Sequence, residues 1–285
     1  YPTNASGADV SITGEASTNF GGALRTGDFN FDGKVDLVVG AQRYSSVTGR
    51  AYIFYNDGSI PTAAGSADVT ITGENASDGF SGAMTTGDFD TDGKTDLAAS
   101  STVYSSYAGR VYVFYGDGSI PTTAATADVK ITSSTALDEL GRSLISGDMN
   151  ADGRTDLVIG GYSYSNDTGR TYIFYNDGSI PTTSATADVT ISGNATGDQF
   201  GITMTTGDFN IDGRIDLAVG AYSYSTFTGR TYVFYNDGSI PTTAATADVT
   251  LTGEDITHAF GASLASGDFN ADGRTDLAVG ASGYS

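Results

Sequence analysis

Five acidic stretches carry the residues whose types and spacing could do chemistry. The first reads Asp28-Phe29-Asn30-Phe31-Asp32-Gly33-Lys34-Val35-Asp36, and the pattern starts again at Asp88, Asp148, Asp208 and Asp268, a period of 60 residues. Oxygen-bearing side chains fill loop positions 1, 3, 5 and 9, and a glycine at position 6 permits a sharp turn. A hard cation needs that arrangement: many oxygens around a tight bend, with a backbone carbonyl near position 7 filling a gap. The five loops hold 16 of the 34 acidic residues. High acidity that served solubility alone would not gather nearly half the acids at four positions of a repeat.

Composition excludes several classes. The net charge is -21 with only 13 Lys and Arg, which form no basic patch, so nucleic acid is not an expected partner. No apolar run approaches the roughly 18 residues of a membrane span, so no membrane insertion is expected. There is no Cys, one His and four Glu, and no Ser/His/Asp set stands out from the repeat, so the expectation is not an enzyme. The first residue is Tyr and no signal-peptide pattern precedes the repeats, which reads as a processed or excised chain. Calcium sites of modest affinity suit a secreted or cell-surface location.

The elements that must position these loops recur with them. In the fourth unit, Ala187–Gly193 alternates with apolar Val189 and Ile191, as a half-buried strand does. A polar loop, Asn194–Gln199, leads through Phe200-Gly201 to a second strand at Met204–Thr206. The acidic loop Asp208–Asp216 turns the chain into Leu217–Ala221, whose small apolar residues fit a strand buried on both faces. After the loop Tyr222–Thr228 comes the aromatic, β-branched strand Gly229–Tyr235, and Asn236–Pro241 is turn chemistry. Four short antiparallel strands per 60 residues, with no helical period, predict an all-β fold: a β-propeller of four-stranded blades forming a single domain over 1–285. The units run over 1–19 in part, 20–79, 80–139, 140–199, 200–259, and 260–285 in part.

With strands named A (from the Phe-Gly element), B (after the acidic loop), C (aromatic) and D (Ala-Asp-Val-Thr), the chain begins on a D strand, Ala8–Gly14, and finishes on A and B. The fifth unit lacks strand C. A short blade, a longer array or pairing with another copy would each account for it.

These residues resemble the FG-GAP repeats of the integrin α-subunit propeller and its bacterial relatives. The FG element matches at Phe20-Gly21, Phe200-Gly201 and Phe260-Gly261, and departs at Phe80-Ser81 and Leu140-Gly141. The GAP element survives as Gly40-Ala41, Gly220-Ala221 and Gly280-Ala281, without its proline, and diverges at Gly160-Gly161 and Ser100-Ser101. The family usually has seven blades, whereas this chain holds fewer than five complete ones. The resemblance implies about five structural calcium ions. Their ligands would be Asp28, Asn30, Asp32 and Asp36; Asp88, Asp90, Asp92 and Asp96; Asp148, Asn150, Asp152 and Asp156; Asp208, Asn210, Asp212 and Asp216; and Asp268, Asn270, Asp272 and Asp276. The carbonyls of Lys34, Lys94, Arg154, Arg214 and Arg274 would complete the sets. The resemblance also places these loops opposite the ligand-meeting face.

On that opposite face the B–C loops carry Tyr44, Tyr104, Tyr162, Tyr164, Tyr222 and Tyr224 among serines, joined by Tyr107, Phe227 and Tyr284. Tyr with Ser provides stacking area and hydrogen bonds for a protein or a glycan; the same tyrosines could instead pack between blades. Arg50, Arg110, Arg170 and Arg230 open the C strands and read as structural, their stems lying on neighbouring blades. Asn4, Asn75, Asn166 and Asn194 lie in glycosylation sequons, and His258 reads as incidental. The functional expectation is a calcium-stabilised adhesion or ligand-binding module. A subunit that assembles with copies of itself, and the non-catalytic part of a larger secreted enzyme, are the alternatives.

Overall fold

Each repeat folds into one sheet because its four strands alternate with short turns and can pair in chain order. The computed structural model describes residues 7–284, so the sequon at Asn4 lies outside the described residues. The first blade contains β1 (Phe20–Gly27), β2 (Asp36–Ala41), β3 (Arg50–Phe54) and β4 (Val69–Thr72). The second contains β5 (Met84–Gly87), β6 (Asp96–Ser101), β7 (Arg110–Phe114) and β8 (Val129–Thr132). The third contains β9 (Leu144–Gly147), β10 (Asp156–Gly161), β11 (Arg170–Phe174) and β12 (Val189–Ser192). The fourth contains β13 (Thr203–Gly207), β14 (Asp216–Ala221), β15 (Arg230–Phe234) and β16 (Val249–Thr252). Finally β17 (Phe260–Gly267) and β18 (Asp276–Ala281) form a two-stranded sheet. Every pairing within these sheets is antiparallel, so the fold is a β-propeller with four full blades and a partial fifth.

The A strands sit innermost, β1 against β5, β5 against β9, β9 against β13 and β13 against β17. Hydroxyls stitch them together: Ser146 Oγ donates to the Thr86 carbonyl at 2.7 Å, and Ser266 Oγ donates to the Thr206 carbonyl at 2.7 Å. The B strands β6, β10 and β14 are buried at every residue, as their small apolar composition requires. The aromatic C strands supply the bulk. Phe80 packs edge-on against Tyr112 and Phe114 at 5.6 and 6.1 Å, and Phe200 meets Tyr232 and Phe234 in the same way. Such edge contacts add about 0.5–1.5 kcal/mol each beyond burial. At the ends of the array the burial lapses: Phe269 is 62% exposed whereas its counterpart Phe89 is 0% exposed, because no following blade covers it.

The B–C loops, read as plain loops in the sequence, are built segments. Three consecutive residues in each are left-handed, for example Ser165, Asn166 and Asp167 with φ of 51°, 58° and 60°. Non-glycine residues there cost about 1–2 kcal/mol each. The turn aims its carbonyls at the loop entering the next blade, which offsets the cost: Asn166 and Asp167 accept from the N–H groups of Gly197 and Gln199 at 3.1 and 2.7 Å. Ser46 and Val47 do the same for Ser77 and Gly79. Immediately after each turn a glycine is forced. Gly169 has φ +81°, and a Cβ there would collide with the backbone of Phe200, its parallel-bridge partner. Replacing Gly169 with Ala is expected to cost about 3 kcal/mol or more, strain plus blade separation, measured by chemical denaturation; a loss below about 1 kcal/mol would contradict this account.

The expected N-terminal D strand is a correction. Ala8–Gly14 joins no sheet; only Thr13 bridges, parallel to Ala63 in the first blade. Thr72, Thr132 and Ser192, at the ends of true D strands, make the same bridge to Thr123, Thr183 and Thr243 of the next blade. A D strand needs the C strand of its own blade, and none precedes residue 8 among the described residues. No helix among the described residues is long and apolar enough to cross a membrane.

Candidate metal centres and the opposite loop face

Each acidic loop joins strand A to strand B at one end of its blade, and the B–C loop lies at the other end. The loop shapes itself through its own carboxylates. In the third blade Asp148 Oδ1 and Asn150 Oδ1 both accept from the Asp152 N–H at 3.0 Å, which draws positions 1 and 3 together. Asp148 Oδ2 accepts from Gly153 N–H at 2.9 Å, and Asp152 Oδ1 from Arg154 N–H at 2.9 Å. Gly153, with φ +86°, makes the bend that brings position 6 back over position 1. The same bonds recur in all five loops. In the second loop the carboxylate oxygens of Asp88, Asp90 and Asp96 lie within 4.8 Å of one another, a spread that one cation could bridge. The other loops have Asn at position 3 and so present one carboxylate fewer. The donor set, all oxygen around a glycine bend, fits calcium.

Position 9 has a second role that the sequence did not reveal. Asp156 is fully buried; its Oδ2 accepts from Met149 N–H at 2.7 Å, and its Oδ1 from Asn176 N–H at 2.8 Å, in the turn after strand C. Asp36, Asp96 and Asp216 make the same pair of bonds. The acid at position 9 is therefore required by the backbone as well as suited to a metal, and its presence does not by itself discriminate in favour of an ion. Burial pushes the Asp96 and Asp156 carboxyls up to about 6; neighbouring loop carboxylates push the same way, and the N–H bonds oppose it. Burial raises Asp216 too. A cation in the loop would favour the ionised forms.

The loops are also tied to the following blade. Asn176 Nδ2 donates to the Asp88 carbonyl at 3.3 Å, and Asn236 Nδ2 to the Met149 carbonyl at 2.7 Å. The side chains of Lys34 and Lys94 fold back on Asp32 and Asp92 at 3.0 and 2.6 Å, exposed pairs worth little on their own. Arg154 reaches the Asn176 carbonyl at 3.3 Å.

At the opposite end, the arginines that open the C strands stack on tyrosines of their own blades, and Arg50 and Arg110 also reach acids of the preceding unit, Glu15 and Glu74. The guanidinium groups of Arg50, Arg110, Arg170 and Arg230 stack over Tyr44, Tyr104, Tyr164 and Tyr224 at 3.7, 3.7, 3.5 and 3.7 Å. Each also donates from Nε to the hydroxyl that ends its own blade's D strand, as Arg110 does to Thr132 at 2.8 Å. Arg110 further pairs with Glu74 at 2.9 Å, whose carboxylate also accepts from the Tyr112 hydroxyl at 3.0 Å. The enclosed tyrosines are Tyr52, Tyr112, Tyr172 and Tyr232 on strand C; Tyr44, Tyr104, Tyr162, Tyr164, Tyr222 and Tyr224 are half-buried, and Tyr107 and Tyr284 are exposed. Tyr162 donates to Glu139 Oε2 at 2.8 Å, and Tyr222 packs on Phe227 at 5.9 Å. Two grooves open beside this row. One of about 560 Å³ includes Leu137, Glu139, Tyr164 and Asn166; its equivalent one unit later, about 430 Å³, includes Asp198 and Tyr224. His258 meets Tyr284 edge-on at 4.9 Å.

Comparison with known proteins follows the same repeat. The FG-GAP repeat family matches residues 20–54 and 260–285, and the FG-GAP-like repeat family matches 88–159 and 148–219. Integrin alpha-PS2 of Drosophila melanogaster is 32% identical over 234 residues, 75% of this chain and 16% of that protein. Integrin alpha-PS5 of the same organism is 32% identical over 218 residues, 70% of this chain and 20% of that protein. Phosphatidylinositol-glycan-specific phospholipase D of Bos taurus is 35% identical over 156 residues, 50% of this chain and 18% of that protein. The chain thus spans no more than 20% of the length of any of these three. The V. cholerae biofilm matrix protein Bap1 overlaps 76% of this chain and 38% of its own at a TM-score of 0.33 and 13% identity. With both repeat families matching at the residues that build its blades, the chain belongs to the FG-GAP repeat proteins.

Proposed function

We propose that this chain is an extracellular, calcium-stabilised binding module that meets a protein or glycan through its B–C loop face and performs no chemistry on it. The observation that carries this reading is the division of labour between the blade ends. One end holds five cation-fitting loops, and the other holds Tyr-, Ser- and Thr-lined grooves repeated beside Tyr164 and Tyr224. Groove walls of aromatic faces and hydroxyls suit sugar rings or peptide side chains, because one surface offers both stacking area and hydrogen bonds. The likeness to integrin alpha chains supports the adhesive reading, and the likeness to a phospholipase D supports a place beside other domains in a longer protein.

The test is binding to a glycan array and to extracellular-matrix peptides with calcium present. A ligand found this way is expected to lose about tenfold affinity on Tyr164→Ala or Tyr224→Ala, on the order of the stacking removed. Melting curves of the variants verify that the face remains folded. Affinity unchanged in the double variant would refute the loop-face assignment.

A further inference from the structure

Residues of the five innermost strands and of the turns leading into them line an open axial well of about 480 Å³. Its wall includes Leu24, Met84, Met204 and Leu264, together with Arg25 and Arg142. No Asp or Glu lines it among the described residues, although the chain holds 34 acids against 13 bases. Both arginines break the repeat. The counterparts of Arg142 are Gly22, Gly82, Ile202 and Ala262, and those of Arg25 are Thr85, Ile145, Thr205 and Ala265.

Arg25 and Arg142 stand outside the two basic positions that recur in the repeat, position 7 of the acidic loops and the start of strand C. Neither forms an ion pair among the described residues. Arg25 donates only to the adjacent Leu24 carbonyl, at 2.7 Å. Arg142 stands 5.9 Å from the Tyr162 ring, and the nearest acid in sequence, Glu139, is taken by the hydroxyls of Tyr162 and Ser163 at 2.8 and 3.4 Å. Arg142 also borders a second cleft of about 400 Å³ with Tyr222 and Ser282. Two arginines on the wall of an acid-free well of mixed polar and apolar lining supply the chemistry for an anion, since guanidinium binds oxyanions in a bidentate fashion.

We propose that the axial well binds a small organic carboxylate with an apolar body. Repulsion from the net charge of -21 and attraction to the two arginines both grow in proportion to ligand charge, so the apolar part of the wall decides between a carboxylate with an apolar body and phosphate, which has none. The Leu and Met wall then rewards an apolar body by burial. This inference does not rest on the loop-face reading, because the well is lined by the A strands and the turns leading into them and not by the B–C loop grooves.

The experiment uses the calcium-loaded chain at low ionic strength and follows ligand-observed and protein-observed NMR. Benzoate is compared with benzamide, its neutral isostere, and with inorganic phosphate. Benzoate is expected to bind at least about tenfold more tightly than either, equivalent to about 1.4 kcal/mol. Arg25→Gln and Arg142→Gln should each weaken it, and the double variant should abolish it, without shifting the melting temperature, because both side chains are exposed. Tyr164→Ala should leave benzoate binding intact. Benzamide binding as well as benzoate, phosphate displacing benzoate, retention of binding in the double arginine variant, or no benzoate binding up to about 50 mM would each overturn the proposal.

Discussion

Removing calcium with excess chelator is expected to lower the melting temperature by more than about 10 °C, and adding calcium back should restore it. A ligand held a hundredfold above its Kd stabilises the folded state by about 2.7 kcal/mol per site. A chain of this size shifts by about 2–4 °C per kcal/mol, so each loop accounts for roughly 5–10 °C. Five loops sit on five successive blades, and each is clasped by its own A–B hairpin. Without a cation the side-chain oxygens at positions 1, 3 and 5, carboxylates at 1 and 5, still crowd together, held by shared N–H groups. Scanning calorimetry with and without chelator measures the shift; a melting temperature within about one degree in both conditions would dismiss calcium as the stabilising ligand.

The second large effect belongs to Asp156 and survives chelation. Truncation to Ala removes both acceptors of two buried N–H groups, those of Met149 and Asn176. Leaving a buried donor unpaired costs about 1–3 kcal/mol, so Asp156→Ala is expected to cost roughly 2–6 kcal/mol even in chelator. Asp152→Asn is the contrast. Asp152 is exposed at loop position 5 and bonds only within the loop, so its cost should be seen in calcium and largely disappear in chelator. Chemical denaturation of both variants in both conditions gives four numbers. If the Asp156→Ala penalty vanished in chelator, the backbone role of position 9 would be wrong and the residue would serve the metal alone.

Much of the architecture was legible because it is local and repeated. The alternation in Val189 and Ile191, the small residues of Leu217–Ala221 and the aromatic strand Arg230–Phe234 each fixed a strand and its burial, since period-two patterns and turn chemistry act over a few residues. The B–C loops were not legible. Ser165-Asn166-Asp167 adopts left-handed backbone only because Gly197 and Gln199, thirty-odd residues away, hold its carbonyls, and nothing in Ser or Asn at short range announces that. The following Gly169 was the available signal: an invariant break at the same place in each complete unit, needed because Phe200 passes too close for a Cβ. The stack of Arg170 on Tyr164 was likewise hidden, since six residues separate the pair along a turn of unknown shape.

Sequence alone determined the repeat, the blade and the acidic loop, because oxygens at four fixed positions around a glycine can meet only when the intervening chain bends. It also determined the order of the A, B, C and D strands along the chain. Tertiary structure decided what those residues do beyond the loop. It buried Asp156 between its own hairpin and the turn after strand C, which gave position 9 a backbone role. It denied Ala8–Gly14 a sheet, because a D strand without its C strand has no ladder to join. And it brought Arg25 and Arg142, 117 residues apart, to the wall of one axial well. Convergence of that kind depends on how five blades pack around an axis, and no short-range pattern encodes it.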